Sequence, residues 1–195
     1  METIALEAST TAIAYELTLA TSAQADTTAF AAIYDHFFRR VYNYVCYRVG
    51  DAAEADDLTA QVFEHVLRHL PSYSPKRGPF AAWLFRIARN TVYDELRRRR
   101  RHPWLPLEII HDHIDDQVGP DEEVAAKLER ARVLGLIAAL PEREREIIAL
   151  KFGAGLTNRH IADLMKLSES NVGVILYRTL NTLRSQLAEG RPPHD

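Results

Sequence analysis

Thr157-Asn-Arg-His-Ile-Ala-Asp-Leu-Met-Lys-Leu-Ser-Glu-Ser-Asn-Val172 is the stretch whose reading decides the fold. Thr157 and Ser168 each stand just before a helical pattern, where a side-chain oxygen accepts a bond from an otherwise unpaired N–H of the first turn. Ile161, Ala162 and Met165 make one apolar side of a short helix over 158–165, and Leu167 plugs the turn after it. Val172, Leu176, Leu180, Leu183 and Leu187 then recur at three- and four-residue steps as the buried stripe of a second helix over 169–187. Two capped helices with so short a turn between them form a helix-turn-helix. Ser170, Asn171, Val174, Tyr177, Arg178 and Asn181 lie mostly on the face opposite the stripe. That face suits a major groove: Asn pairs bidentately with adenine, Val meets a thymine methyl, and Arg reaches guanine or phosphate. Lys166 sits in the turn, at a cost of about 1–2 kcal/mol if its backbone must be left-handed.

Moving toward the N-terminus, Pro141 breaks the pattern after Leu140, Glu142 to Phe152 reads as a helix, and Gly153 and Gly155 stop it. Helices resume at Val124. Before them, 102–122 holds Pro103, Pro106, Gly119 and Pro120, with six acidic and no Lys or Arg residues. Further upstream, Phe30, Ile33, Tyr34, Phe37, Phe38, Val41 and Tyr44 mark an apolar helical face that Gly50 and Asp51 end. A helix over about 52–70 turns Leu58, Val62, Val66 and Leu70 inward. Three prolines and a glycine between Pro71 and Pro79 make a loop. A third helix from Phe80 buries Trp83, Leu84, Ile87 and Val92 and ends in five arginines, Arg97 to Arg101. No stretch alternates with period two. The chain reads as all-α: two small helical domains joined by a flexible acidic linker, with boundaries 1–25 (mobile N-terminal tail), 26–101, 102–122 (linker), 123–188 (helix-turn-helix domain) and 189–195 (tail).

The 195 residues carry 24 Lys+Arg against 27 Asp+Glu, but the charge is patterned. Residues 1–101 have 13 basic and 12 acidic side chains and 123–195 have 11 and 9, so two weakly basic bodies flank the acidic strip. A net charge of −3 therefore does not exclude a polyanion partner. No run of eighteen apolar residues argues for membrane insertion. The first 25 residues have no Lys or Arg, unlike a signal peptide. The single cysteine, Cys46, allows no intrachain disulfide and reads as a buried, inert thiol. These features point to a reduced, cytoplasmic protein. His111-Asp-His113-Ile-Asp115-Asp116 superficially resembles a zinc-hydrolase ligand run, yet it lies in the linker without the rigid support that a catalytic metal needs. No enzyme, metal site or cofactor is expected.

The third helix brings Arg86, Arg89, Asn90, Tyr93, Arg97 and Arg98 onto one element behind an aromatic-bearing loop. Arginines can track phosphates, while aromatic rings can stack on unpaired bases. Phe80-Ala-Ala-Trp-Leu-Phe-Arg-Ile-Ala-Arg-Asn90 with Asp94-Glu-Leu-Arg97 resembles the promoter-melting segment of extracytoplasmic-function (ECF) sigma factors of the sigma-70 family. Ala53-Glu-Ala-Asp-Asp-Leu-Thr-Ala-Gln-Val-Phe63 resembles their core-polymerase-binding helix, and Leu140-Pro-Glu-Arg-Glu-Arg-Glu-Ile-Ile148 with the helix-turn-helix resembles their C-terminal promoter domain.

The resemblance implies that Asp56, Asp57, Gln61 and Glu64 dock on core RNA polymerase, with Leu58 and Phe63 holding that helix in place. It implies that Tyr73, Lys76, Arg77, Arg86, Arg89, Asn90, Tyr93, Arg97 and Arg98 serve −10 recognition and melting, the 73–79 loop capturing a flipped-out base. It implies a −35 face of Arg159, Ser170, Asn171, Val174, Tyr177 and Arg178, and an anti-sigma factor as keeper. The linker carboxylates would imitate a phosphate backbone in the polymerase channel. The alternative is a helix-turn-helix regulator without direct sigma activity, which leaves the acidic second helix and the arginine-rich third helix unexplained.

Overall fold

The computed structural model describes the backbone of residues 2–101 and 120–189, and side chains over 11–101 and 128–188. Eight α-helices and no strand occur among them: α1 (Glu2–Ala25), α2 (Phe30–Val49), α3 (Ala52–His69), α4 (Phe80–Arg101), α5 (Pro120–Ala139), α6 (Glu142–Ile148), α7 (Asn158–Met165) and α8 (Glu169–Glu189). Residues 102–119 of the expected linker, with the zinc-like run, lie outside the described residues, as does 190–195. Pro120 already opens α5, so helix resumes four residues before Val124.

The N-terminal tail, expected to be mobile with at most a weak helix over 13–19, is instead one helix, Glu2–Ala25. Leu19, Ala20 and Ala23 of α1 are buried, and so is Glu16. Positions 16, 19, 20 and 23 form a helical stripe, but small alanines and one carboxylate hide it from a hydrophobicity reading. Glu16 is tolerated there because Arg40 reaches its Oε1 at 2.8 Å.

In the first lobe α2, α3 and α4 pack around Ile33, Phe37, Val41, Val62, Val66, Leu84, Phe85 and Val92. Gly50, at φ 79°, closes α2 by donating its N–H to the Cys46 carbonyl; the left-handed backbone favours glycine. Asp51 caps α3 through the Glu54 N–H at 2.8 Å. Between α3 and α4 the chain makes two short 3-10 turns, Leu70–Ser72 and Pro75–Arg77.

In the second lobe the helix-turn-helix has its expected caps and helix starts, with α8 running two residues past the expected end at 187. Thr157 accepts from the His160 N–H and Ser168 from the Asn171 N–H, each at 3.2 Å. Lys166 adopts the left-handed conformation, φ 56° and ψ 47°, so the turn carries the strain that its residue type implies. Where one helix was expected over 142–152, α6 gives way at Ala149 to a π-helical turn through Gly153. That widened turn lets the backbone of Gly153 lie against α2: a Cβ there would stand 2.8 Å from the Cα and N of Tyr44. The two lobes are thus docked, and one apolar core runs through both.

Candidate nucleic-acid and polymerase interfaces

The docked lobes meet around a carboxylate. Glu146 of α6 is fully buried, and three groups of the first lobe converge on it. The Arg48 guanidinium lies 2.8 Å from one oxygen, Arg89 of α4 lies 3.4 Å from the other, and the Tyr44 hydroxyl donates to it at 3.0 Å. Arg48 is itself only 1 % exposed, so each charge is held in place by the other. Burial pushes the Glu146 carboxyl above the usual carboxylate range, against the pull of the two arginines. Burial also raises the Tyr44 phenol. At the rim Glu142 pairs with Arg100 of α4, which lowers its pKa, and reaches Arg48 at 3.6 Å. Arg40 extends the seam by donating to the Ala154 carbonyl at 2.8 Å while its guanidinium lies over Phe37 and Phe85.

This docking divides the expected −10 residues. Arg86, Asn90, Arg97 and Arg98 are exposed, and Arg98 is braced by Glu95 through two 2.7 Å bonds. Arg89 is half-buried, engaged by Glu146, and stacked over the Tyr93 ring at 4.7 Å. Lys76 and Arg77 are exposed on the loop. Tyr73 is buried at 6 % exposure; its ring packs against Phe80 and Trp83, and its hydroxyl donates to Gly78 at 3.3 Å. It braces the loop rather than offering a free stacking face.

The expected −35 residues are all open to solvent. Arg159, Ser170, Asn171 and Arg178 are exposed, Val174 is 44 % exposed and Tyr177 68 %. Val172, Leu176 and Leu183 face inward, which fixes that side outward. On α3, Asp57, Gln61 and Glu64 are exposed and Asp56 is half-buried, while Leu58 and Phe63 are buried. Phe63 meets Phe30 and Tyr34, centroids 6.4 and 4.6 Å away, anchoring the helix from beneath.

Cys46 is buried and its thiol is pushed up to about 11 by burial, as an inert core cysteine should be. Among the described residues no cluster of His, Cys, Asp or Glu could hold a metal, and no helix is long and apolar enough to cross a membrane. Sequence reading missed Arg48, Glu142, Glu146 and Gln24. The available signal was a charged residue in a buried register: Arg48 follows Tyr44 and Val45 at core spacing, and Glu146 directly precedes Ile147 and Ile148.

The two lobes correspond to known sequence families. Residues 33–102 match Sigma-70 region 2, and residues 130–183 match Sigma-70, region 4. A chain bearing both in this order is a sigma factor, a transcription initiation factor. The relatives narrow the class: this chain is 35 % identical over 144 residues to the ECF RNA polymerase sigma factor ShbA of Streptomyces griseus, covering 72 % of this chain and 75 % of ShbA. It is 30 % identical over 175 residues to the ECF sigma factor SigK of Mycolicibacterium vanbaalenii, covering 86 % and 81 %. Against BldN of Streptomyces coelicolor the identity is 31 % over 83 % of this chain, which spans 61 % of BldN's length. The solved structure of CnrH in complex with the cytosolic domain of CnrY superposes with a TM-score of 0.68 at 25 % identity, covering 90 % of this chain and 99 % of that one. CnrH is a sigma factor of Cupriavidus metallidurans. The chain belongs to the ECF RNA polymerase sigma factors of the sigma-70 family.

Proposed function

We propose that this chain binds core RNA polymerase in the cytoplasm and directs it to promoters, with the labour divided between its lobes. The acidic face of α3, from Asp56, Asp57, Gln61 and Glu64, docks on the polymerase. α8 reads the −35 duplex through Ser170, Asn171, Val174, Tyr177 and Arg178, with Arg159 of α7 beside it. α4 and the loop before it open the −10 element: Arg86, Arg89, Asn90, Tyr93, Arg97 and Arg98 follow the strands, while Lys76 and Arg77 steer a flipped base into the loop that Tyr73 braces. Extruding a base costs a few kcal/mol, which only a shaped pocket can return. The observation that carries this reading is the pairing, in one chain, of a capped helix-turn-helix with an open polar face and an arginine-studded helix beside an aromatic loop.

Arg89 and Arg100 cannot follow DNA while Glu146 and Glu142 hold them. The docked arrangement is therefore the resting form, and polymerase binding parts the lobes. A protein that stabilises the docked form keeps the factor silent. CnrH, solved with the cytosolic domain of CnrY, supports a partner of this kind, and we assign that role to an anti-sigma factor.

Run-off transcription tests the whole reading. Core polymerase with this chain is expected to start RNA at a cognate promoter; a factor that neither associates with core nor supports initiation refutes it.

A further inference from the structure

The N-terminal helix is hydrogen-bonded to the loop between α3 and α4 by the Gln24 side chain. The two N–H groups of Gln24 Nε2 donate to the carbonyls of Leu70 and Tyr73, at 2.8 and 3.0 Å. These carbonyls lie at the start and just past the end of the 3-10 turn Leu70–Ser72, where the chain leaves α3 and enters the loop. Tyr73 passes the constraint onward: its ring is wedged against Phe80 and Trp83, and its hydroxyl bonds Gly78 at the far side of the loop. α1 is a firm base for this contact. Leu19, Ala20 and Ala23 are buried, and Glu16 is tied to Arg40 at 2.8 Å. Asp26 then ends the helix, its N–H bonding the Ser22 carbonyl and its carboxylate capping the next turn at Thr28.

We propose that Gln24 is a positioning residue for promoter opening: by clamping the Leu70 and Tyr73 carbonyls it sets the shape of the 73–79 loop, making α1 a working part of the −10 lobe. This rests on the reading of that loop as the site of base capture. An amide suits the task because it offers two donors to two acceptors in one plane. A carboxylate of the same shape offers none and repels both.

The test uses the full chain with core polymerase on duplex promoters carrying a fluorescent base analogue at the extruded −10 position. Gln24→Glu is expected to reduce opening about three- to ten-fold, and Gln24→Ala about two- to five-fold, the range of one or two lost hydrogen bonds. Both variants should also shift the ratio of run-off product between templates differing only at the captured base. A merely stabilising role would lower the melting temperature and scale all templates alike, leaving that ratio unmoved. Because Gln24 is exposed on a helix, the alanine variant keeps the test available if the glutamate variant folds poorly. Parental opening and base ratio in both Gln24 variants, with Arg77→Ala impaired, would overturn the role of Gln24 and leave the loop reading intact. If Arg77→Ala and Lys76→Ala also open promoters normally, the loop reading falls, and the role of Gln24 with it.

Discussion

α4 and α8 are both long helices to which the proposed function assigns a DNA-directed face, yet the docked protein treats them differently. Along α4, Arg89 and Arg100 are answered by carboxylates from the other lobe, and Arg98 by Glu95 of its own helix. Along α8, Ser170, Asn171, Val174, Tyr177 and Arg178 all stay open to solvent. The contrast follows from charge. A helix dense in arginine repels itself and attracts any nearby carboxylate, so it can be silenced by an internal acidic helix such as α6. The α8 face, where Arg178 is the one charge beside Ser170, Asn171, Val174 and Tyr177, offers far less of a handle. On the proposed reading, the docked chain keeps its duplex-reading face available while its melting helix is engaged.

The severest break of that contrast is Glu146→Ala. It leaves Arg48 buried without its counter-charge and releases Arg89, and truncating one partner of a buried ion pair costs about 3–5 kcal/mol. The docked form should give way first, seen as rapid protease cleavage between the lobes and a lowered unfolding midpoint in urea; unchanged cleavage would show that Glu146 does not hold the lobes. Gly153→Ala acts on the same seam from the backbone. Its methyl would press on Tyr44 with little room to yield, at a cost of about 1–3 kcal/mol. Opened lobes with an intact helix-turn-helix are expected, and wild-type −35 duplex binding is the measure of the latter.

Lys166→Gly works on the α8 side alone. Relieving the left-handed strain should add about 0.5–1 kcal/mol, offset in part by glycine's chain entropy, and raise the melting temperature by a few degrees without moving the lobes. The mildest probe is titration of the two seam carboxylates by carboxyl carbon NMR. Glu142, held charged by Arg100, should titrate below the ordinary 4.5, so its contribution to docking is present above that value and lost as pH falls. Glu146, buried, should titrate above 4.5; its docked pocket favours the protonated form, so its own contribution runs the opposite way. Two carboxyls titrating together at 4.5 would mean that the lobes are apart in solution.

What the sequence discloses and what it hides follow the same division. α8 and α7 are legible because their signals are local: two caps, a turn and an apolar stripe, all between Thr157 and Leu187. The inward side of α3 is legible for the same reason, through Leu58, Val62 and Val66, whereas its outward carboxylates are picked out only by the family resemblance. The seam is not legible. Glu146 meets partners 98 and 102 positions away in Arg48 and Tyr44, and no periodicity joins them. α1 stays hidden because its packing surface is one leucine and two alanines beside a buried glutamate, too little apolar area to stand out from a solvated tail. Tyr73 looks like a stacking ring from composition; only its hydroxyl bond and its neighbours Phe80 and Trp83 make it a brace.

The division of labour between α4 and α8 is tested most directly by run-off transcription on duplex and pre-opened templates, using Asn90→Ala and Arg178→Ala in the full chain with core polymerase. Pre-opening the −10 element should restore the α4 variant to near-parental output and leave the α8 variant impaired. Equal rescue of both, or of neither, would contradict the assignment of melting to one helix and duplex reading to the other.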